Sequence, residues 1–219
     1  MAPATRALLP RLAARTWSGD FYLAGSAALA LYLAHRPVRD LDLMSNANRL
    51  APQDRRDLLA DLLQLDPETR VETARDGYLS VRFPDGISVR FFYYPYPLVE
   101  PLAAIDESDE SAAGLSVASA IDLGLMKLGA IISRGGRRDF VDLYLLCREL
   151  PLPGLLARAA DKFGHVGDFP LQAMKGLADT AAADGEPMPR LFQELAWKEV
   201  EIWVTNEVVA AGLELLSAP

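Results

Sequence analysis

Two short stretches of this 219-residue chain carry side chains whose types and spacing could do chemistry. In residues 21–45, FYLAGSAALALYLAHRPVRDLDLMS, Asp40 and Asp42 stand two residues apart. On a strand over 40–44 both carboxylates share one face, while Leu41 and Leu43 take the other. Two carboxylates aimed at one point repel each other unless a cation lies between them. A hard divalent ion such as Mg2+ takes oxygen ligands and keeps waters and substrate phosphates as its remaining ones. Upstream, Gly25-Ser26 turns an apolar strand-like run into an Ala/Leu-rich helical one. Small side chains and free backbone N–H groups at a helix N-terminus suit a phosphate. The stretch reads as a phosphate cradle facing a metal-binding carboxylate pair.

The second stretch is IDLGLMKLGAIISRGGRRDFVDLYLL, residues 121–146. Lys127, Ile131 and Arg134 fall on one helical face at i, i+4 and i+7. Gly135-Gly136 breaks that helix, and the next carries Arg138, Asp139 and Asp142, the two carboxylates one turn apart. A lysine inside LGLMKLGAII is costly to bury unpaired, so Lys127 needs a carboxylate or phosphate partner. Within the protein that partner is Asp122 or Asp142, with the lysine stem lying along apolar surface.

The elements that must position these groups follow from periodicity. Residues 5–17 and 54–65 repeat at helical spacing, 21–24 and 40–44 read as strands, and 26–34 as the helix between them. Across 70–94 the period changes to two around the Pro84-Asp85-Gly86 turn, predicting an antiparallel hairpin. Residues 101–115 are acidic and small, a linker or surface loop. Beyond them the chain reads as helical over 120–133, 138–149, 155–163, 171–181 and 189–216. The expectation is an α+β chain: a small mixed sheet with packed helices over 1–100, the acidic linker or loop over 101–115, and a helical domain over 116–219.

Composition narrows the class. Hydrophobic residues make up 51% and charged residues 24%, an ordinary globular balance. No apolar run is long enough to span a bilayer, and the N-terminal residues read as a first helix of the fold, so a cytoplasmic chain with no membrane partner is expected. A net charge of -8 and a pI near 4.8 argue against a general nucleic-acid coat, which rests on a broad basic surface. A local patch remains available, from Arg36 and Arg39 or from Arg134, Arg137 and Arg138. The lone Cys147 excludes an internal disulfide and a Cys-based zinc site and reads as a buried, inert thiol. His35 and His165 form no recognisable metal-ligand set.

The order Gly-Ser … Asp-x-Asp, then Lys-x-x-Ala-x-x-x-Arg-x-x-x-Arg-Asp-x-x-Asp-Leu, resembles the AbiEii-type nucleotidyltransferases. These are the toxin components of type IV abortive-infection systems, within the polymerase-β-like (MNT) superfamily. The matching residues are Gly25, Ser26, Asp40 and Asp42, then Lys127, Ala130, Arg134, Arg138, Asp139, Asp142 and Leu143. The resemblance spans about residues 20–147. It implies a small nucleotidyltransferase sheet followed by a helical domain that contributes the Lys/Arg/Asp part of the site. Gly25 and Ser26 would contact a nucleoside triphosphate, and Asp40 and Asp42 would be catalytic and hold Mg2+. Lys127 would reach a phosphate, with Arg134 and Arg138 positioning it or the phosphates. Asp142 would serve as base for the attacking hydroxyl or fix Lys127. The acceptor would be a tRNA 3′ end or a protein, and a cognate antitoxin the partner.

One departure matters. The superfamily's third carboxylate is expected on the strand over 88–94, where a Val-Asp-Phe pattern is common; here it reads Val89-Arg90-Phe91. A cation replaces a carboxylate. That implies a one-metal or weakened site, in the strongest form one where Arg90 bridges to Asp40 or Asp42 in place of a metal. The alternative function is a catalytically weakened or inactive relative acting as a nucleotide- or RNA-binding or toxin–antitoxin interaction protein.

Overall fold

Alternating strands and amphipathic helices build the first of two compact units, Met1–Ser119; the second is Ala120–Pro219. The computed structural model describes residues 1–104 and 115–217, with 212–217 described by backbone alone. The expected acidic linker therefore lies, over 105–114, outside the described residues.

In the first unit the order is α1 (Pro3–Ala13), a 3-10 turn (Ser18–Asp20), β1 (Tyr22–Ala24), α2 (Gly25–Leu33), β2 (Leu41–Ser45), α3 (Pro52–Leu65), β3 (Arg70–Arg75), β4 (Tyr78–Arg82), β5 (Ser88–Tyr93), β6 (Ala103–Ala104) and β7 (Ser116–Val117). The described strands form one mixed sheet in the order β3-β4-β5-β2-β1-β7-β6. The predicted hairpin is present as the antiparallel run β3-β4-β5, turning at Gly77 and Gly86, both with positive φ. The sheet becomes mixed where β5 lies parallel to β2. Two short strands that carry no period-two signal, β6 and β7, extend it beyond β1.

The sheet has an apolar and a polar face. Leu23, Leu41, Leu43, Leu79, Val81, Val89 and Phe91 are buried, each such side chain contributing about 1.5–3 kcal/mol. Trp17 packs edge-on against Phe21 and Phe91, at 6.1 and 5.3 Å between ring centroids. Its indole N–H donates to Asp61 of α3 at 2.7 Å, and Arg15 donates to the same carboxylate. That tie anchors α3 beside the segment that leads into β1. On the other face the pleat places Asp42, Arg90 and Ser80 side by side in register across β2, β5 and β4.

The second unit is helical: α4 (Ala120–Arg134), α5 (Arg137–Cys147), α6 (Leu152–Ala157), α7 (Ala159–Phe163), α8 (Phe169–Ala178), α9 (Ala181–Asp184) and α10 (Trp197–Ser217). Gly135, at φ +57, makes the sharp junction between α4 and α5. Arg137 then grips the end of α9, donating from Nε to Ala183 O at 2.8 Å and from Nη2 to Asp184 O at 3.0 Å. Its guanidinium lies 4.7 Å from the centre of the Trp197 ring. The final helix starts at Trp197 rather than near 189. Glu199 accepts the backbone N–H of Ala196 at 2.9 Å and so caps the helix there. Among the described residues no helix is long and apolar enough to cross a membrane.

Candidate active site

The first group of site residues is assembled by strand register. Ala24 at the end of β1 pairs with Asp42, and Asp42 pairs on its other side with Arg90. Gly25 follows Ala24 directly at φ +60, in the left-handed region that glycine alone tolerates cheaply. A Cβ built there would overlap Asp42 Oδ2. Glycine is required twice over, for its backbone angle and for the space Asp42 occupies. Ser26, on the first turn of α2, accepts a hydrogen bond at 2.6 Å from Nη2 of Arg36. Arg36 is itself buried.

Asp40 and Asp42 do lie on one side of the strand, as the period of two requires, because one guanidinium meets both. Arg90 Nε is 2.7 Å from Asp42 Oδ1, and Arg90 Nη2 is 3.8 Å from Asp40 Oδ2. The closer contact is an ion pair between two buried atoms. Asp40 also accepts the Ser88 backbone N–H at 3.3 Å. Side-chain exposure runs 18% for Asp42, 34% for Arg90 and 43% for Asp40, so the pair opens toward solvent at Asp40. Further along the polar face, Glu72 of β3 accepts from Ser80 and Ser88 at 2.9 and 3.0 Å. Burial works to raise the Glu72 carboxyl, but these hydroxyls and Arg82 outweigh it and hold it below the ordinary glutamate range. Glu72 is thus occupied by its neighbours.

The second group lies on α4 and α5. Lys127 is buried, and its Nζ stands 2.7 Å from Asp142 Oδ2 and 3.1 Å from Asp139 Oδ1. Asp139 also receives a two-pronged contact from Arg134, Nε at 2.7 Å and Nη2 at 2.8 Å. Burial pushes the Asp139 carboxyl up, yet the Arg134 hydrogen bonds and the charges of Lys127 and Arg134 hold it below its ordinary value. Arg134 keeps 66% of its side chain exposed, whereas the Asp142 side chain is fully buried. Arg138 is exposed on the first turn of α5 and has no hydrogen bond or ion pair among the described residues.

The structure therefore gathers Gly25, Asp40 and Asp42 with Arg90, and Lys127, Arg134 and Asp142 with Asp139. Of the two carboxylates open to Lys127 in the sequence, Asp142 is taken. Asp122 is not, because it holds Lys162 in a fully buried pair at 2.6 Å. Two participants, Asp139 and Arg36, were named in the sequence without the partners they take here, and Lys162 was not named. Asp139 was visible as the residue one turn before Asp142. Arg36 carried the signal of an arginine just after an apolar helix, and Lys162, in a charged segment, carried none. Four arginines of the expected basic patch have partners within the chain: Arg36 on Ser26, Arg39 on Asp85 O, Arg137 on α9 and Arg134 on Asp139.

The donor set does not fit a resident divalent ion. Asp40 and Asp42 share the fixed positive charge of Arg90, which an ion between them would have to stand against, and no third His, Cys, Asp or Glu joins them among the described residues.

The family model described as nucleotidyl transferase AbiEii toxin, type IV toxin–antitoxin system, matches residues 7–199. An uncharacterized protein of Aquifex aeolicus (strain VF5) is 34% identical over 131 residues. That match takes in 59% of this chain, which in turn spans 59% of that relative's length. The fold is similar to that of MenT4, a nucleotidyltransferase toxin from Mycobacterium tuberculosis H37Rv. The TM-score is 0.53 over 94% of this chain and 80% of that one, at 15% identity.

Proposed function

Because the chain belongs to the AbiEii nucleotidyl transferase toxin family of type IV toxin–antitoxin systems, we propose that it transfers a nucleotide from a nucleoside triphosphate to an acceptor, a tRNA 3′ end or a protein side chain. The observation that carries this reading is Lys127, a buried ammonium fixed by two buried carboxylates one turn apart. A lysine held this rigidly is a positioned charge with little freedom left to lose when it meets a phosphate.

The roles follow from chemistry. An acceptor hydroxyl attacks the α-phosphorus, the bond to the bridging oxygen of the β-phosphate breaks, and pyrophosphate leaves. Gly25 and the Ser26 hydroxyl, backed by Arg36, face the phosphates at the start of α2. Asp40, the more exposed carboxylate of its pair, accepts the hydroxyl proton. Lys127 and Arg134 neutralise charge that develops on phosphate oxygens, and exposed Arg138 adds a further cation. Asp142 is too buried to meet an acceptor and is assigned to holding Lys127. Mg2+ belongs to this proposal as the ion accompanying the triphosphate, whose charge it screens. A cognate antitoxin is the partner the family implies, in a cytoplasmic setting.

The test is incubation of the full chain with each labelled triphosphate, Mg2+ and either total tRNA or protein. Label should be retained on one acceptor class, and Asp42→Ala or Lys127→Ala should lower it by about 100-fold or more. No transfer under any combination, or variants equal to the wild type, would remove the enzymatic reading. Arg90 favours the second reading, a nucleotide- or RNA-binding or antitoxin-binding relative without transfer. In that case labelled triphosphate is bound and never incorporated.

A further inference from the structure

We propose that Arg90 is the standing cation of the Asp40–Asp42 pair, so that the pair takes no divalent ion of its own in the absence of nucleotide. Parallel pairing of β2 and β5 sets Arg90 directly opposite Asp42, and antiparallel pairing of β5 and β4 sets Ser80 on its other side. The side chain is thus delivered to the carboxylates from the neighbouring strand, and its guanidinium reaches both of them, at 2.7 and 3.8 Å. Asp42 is confined in turn by the close approach of Gly25.

Charge completes the case. A divalent ion between Asp40 and Asp42 would stand within a few ångströms of a permanent positive charge, and like charges at that range repel strongly in a half-buried site. A lysine or histidine could lose its proton to make room. A guanidinium does not, because its pKa lies far above any working pH. Its planar, many-donor head also suits it to touching two carboxylates at once, which is how a bridging metal would use them. This inference concerns the carboxylate pair itself and does not depend on whether a nucleotide is transferred, or to what.

The probe is Mn2+ alone, titrated without nucleotide against the full-length protein and followed by the electron paramagnetic resonance of the free ion. Wild type should show no saturable site. Arg90→Gln and Arg90→Asp should gain one, with affinity raised by about tenfold or more, and Asp42→Asn in the Arg90→Asp background should abolish it. Circular dichroism identifies which variants are folded, and the neutral and acidic replacements each serve if the other fails to fold. Saturable Mn2+ binding by the wild type as tight as that of Arg90→Asp would overturn the inference and leave the proposed transfer reaction standing. Absence of any gain in a folded Arg90→Gln or Arg90→Asp would overturn it as well. Failure of the transfer assay would leave the Mn2+ result untouched.

Discussion

At Gly25 a backbone angle and a carboxylate compete for the same space. The φ of +60 costs an L residue about 1–2 kcal/mol, and the Cβ overlap with Asp42 comes on top of that. Gly25→Ala should therefore lower the urea midpoint by an amount equivalent to at least about 1–2 kcal/mol. It should also disturb the Asp42–Arg90 contact, whereas Ala24 tolerates its own side chain in the strand just before. An unchanged midpoint would mean that the turn relaxes to another geometry. The residue types at this site were legible in the chain: Gly-Ser, Asp-x-Asp and the Lys…Asp spacing each imply their chemistry. The bridge from Arg90 to this pair was expected too, because an arginine stands where the resemblance calls for a carboxylate; what was not legible is the strand register that delivers it. That Asp42 faces Arg90 follows from a parallel register between strands about fifty residues apart in sequence, and no local pattern encodes it.

Among the elements, α4 shows how two buried lysines can be treated differently. Lys127 stands at a site of proposed chemistry, and Lys162 of α7 simply ties its short helix to the first turn of α4 through Asp122. Both groups of that second pair have fully buried side chains, so removing one takes away the opposite charge at 2.6 Å from the other. Lys162→Met should destabilise by about 3–5 kcal/mol, while Lys162→Met combined with Asp122→Leu should recover most of that. Denaturant unfolding of the two variants decides it; a double variant as weak as the single one would show that the pair contributes more than mutual neutralisation. The period-two hairpin and the long amphipathic helices were readable because one repeating pattern specifies each. The start of α10 and the strands β6 and β7 were not. The former depends on a cap at Glu199, and the latter are short segments whose strand state comes from pairing with β1 and each other.

Over the whole molecule, both units hold carboxylates below their ordinary range. Asp61 is held there by the Arg15 hydrogen bond first and by Trp17 and Arg15's charge, against some burial. Asp139 is held there by Arg134 and Lys127 despite burial. A depressed carboxyl contributes its full stability above the unfolded value of 3.8 and loses it as pH falls from there through the folded pKa. The thermal midpoint should stay level from neutrality to near that value and then drop, with a shallower fall in Asp139→Asn. A midpoint rising on acidification would contradict both assignments. The same accounting of burial applies at Cys147, where burial first and the charge of Glu207 second push the thiol up to about 12. It stays protonated at any pH where the protein would be handled, and a protonated thiol is a poor nucleophile. A maleimide dye can therefore be steered to a cysteine introduced at any chosen surface position, on either unit, without first deleting the native one.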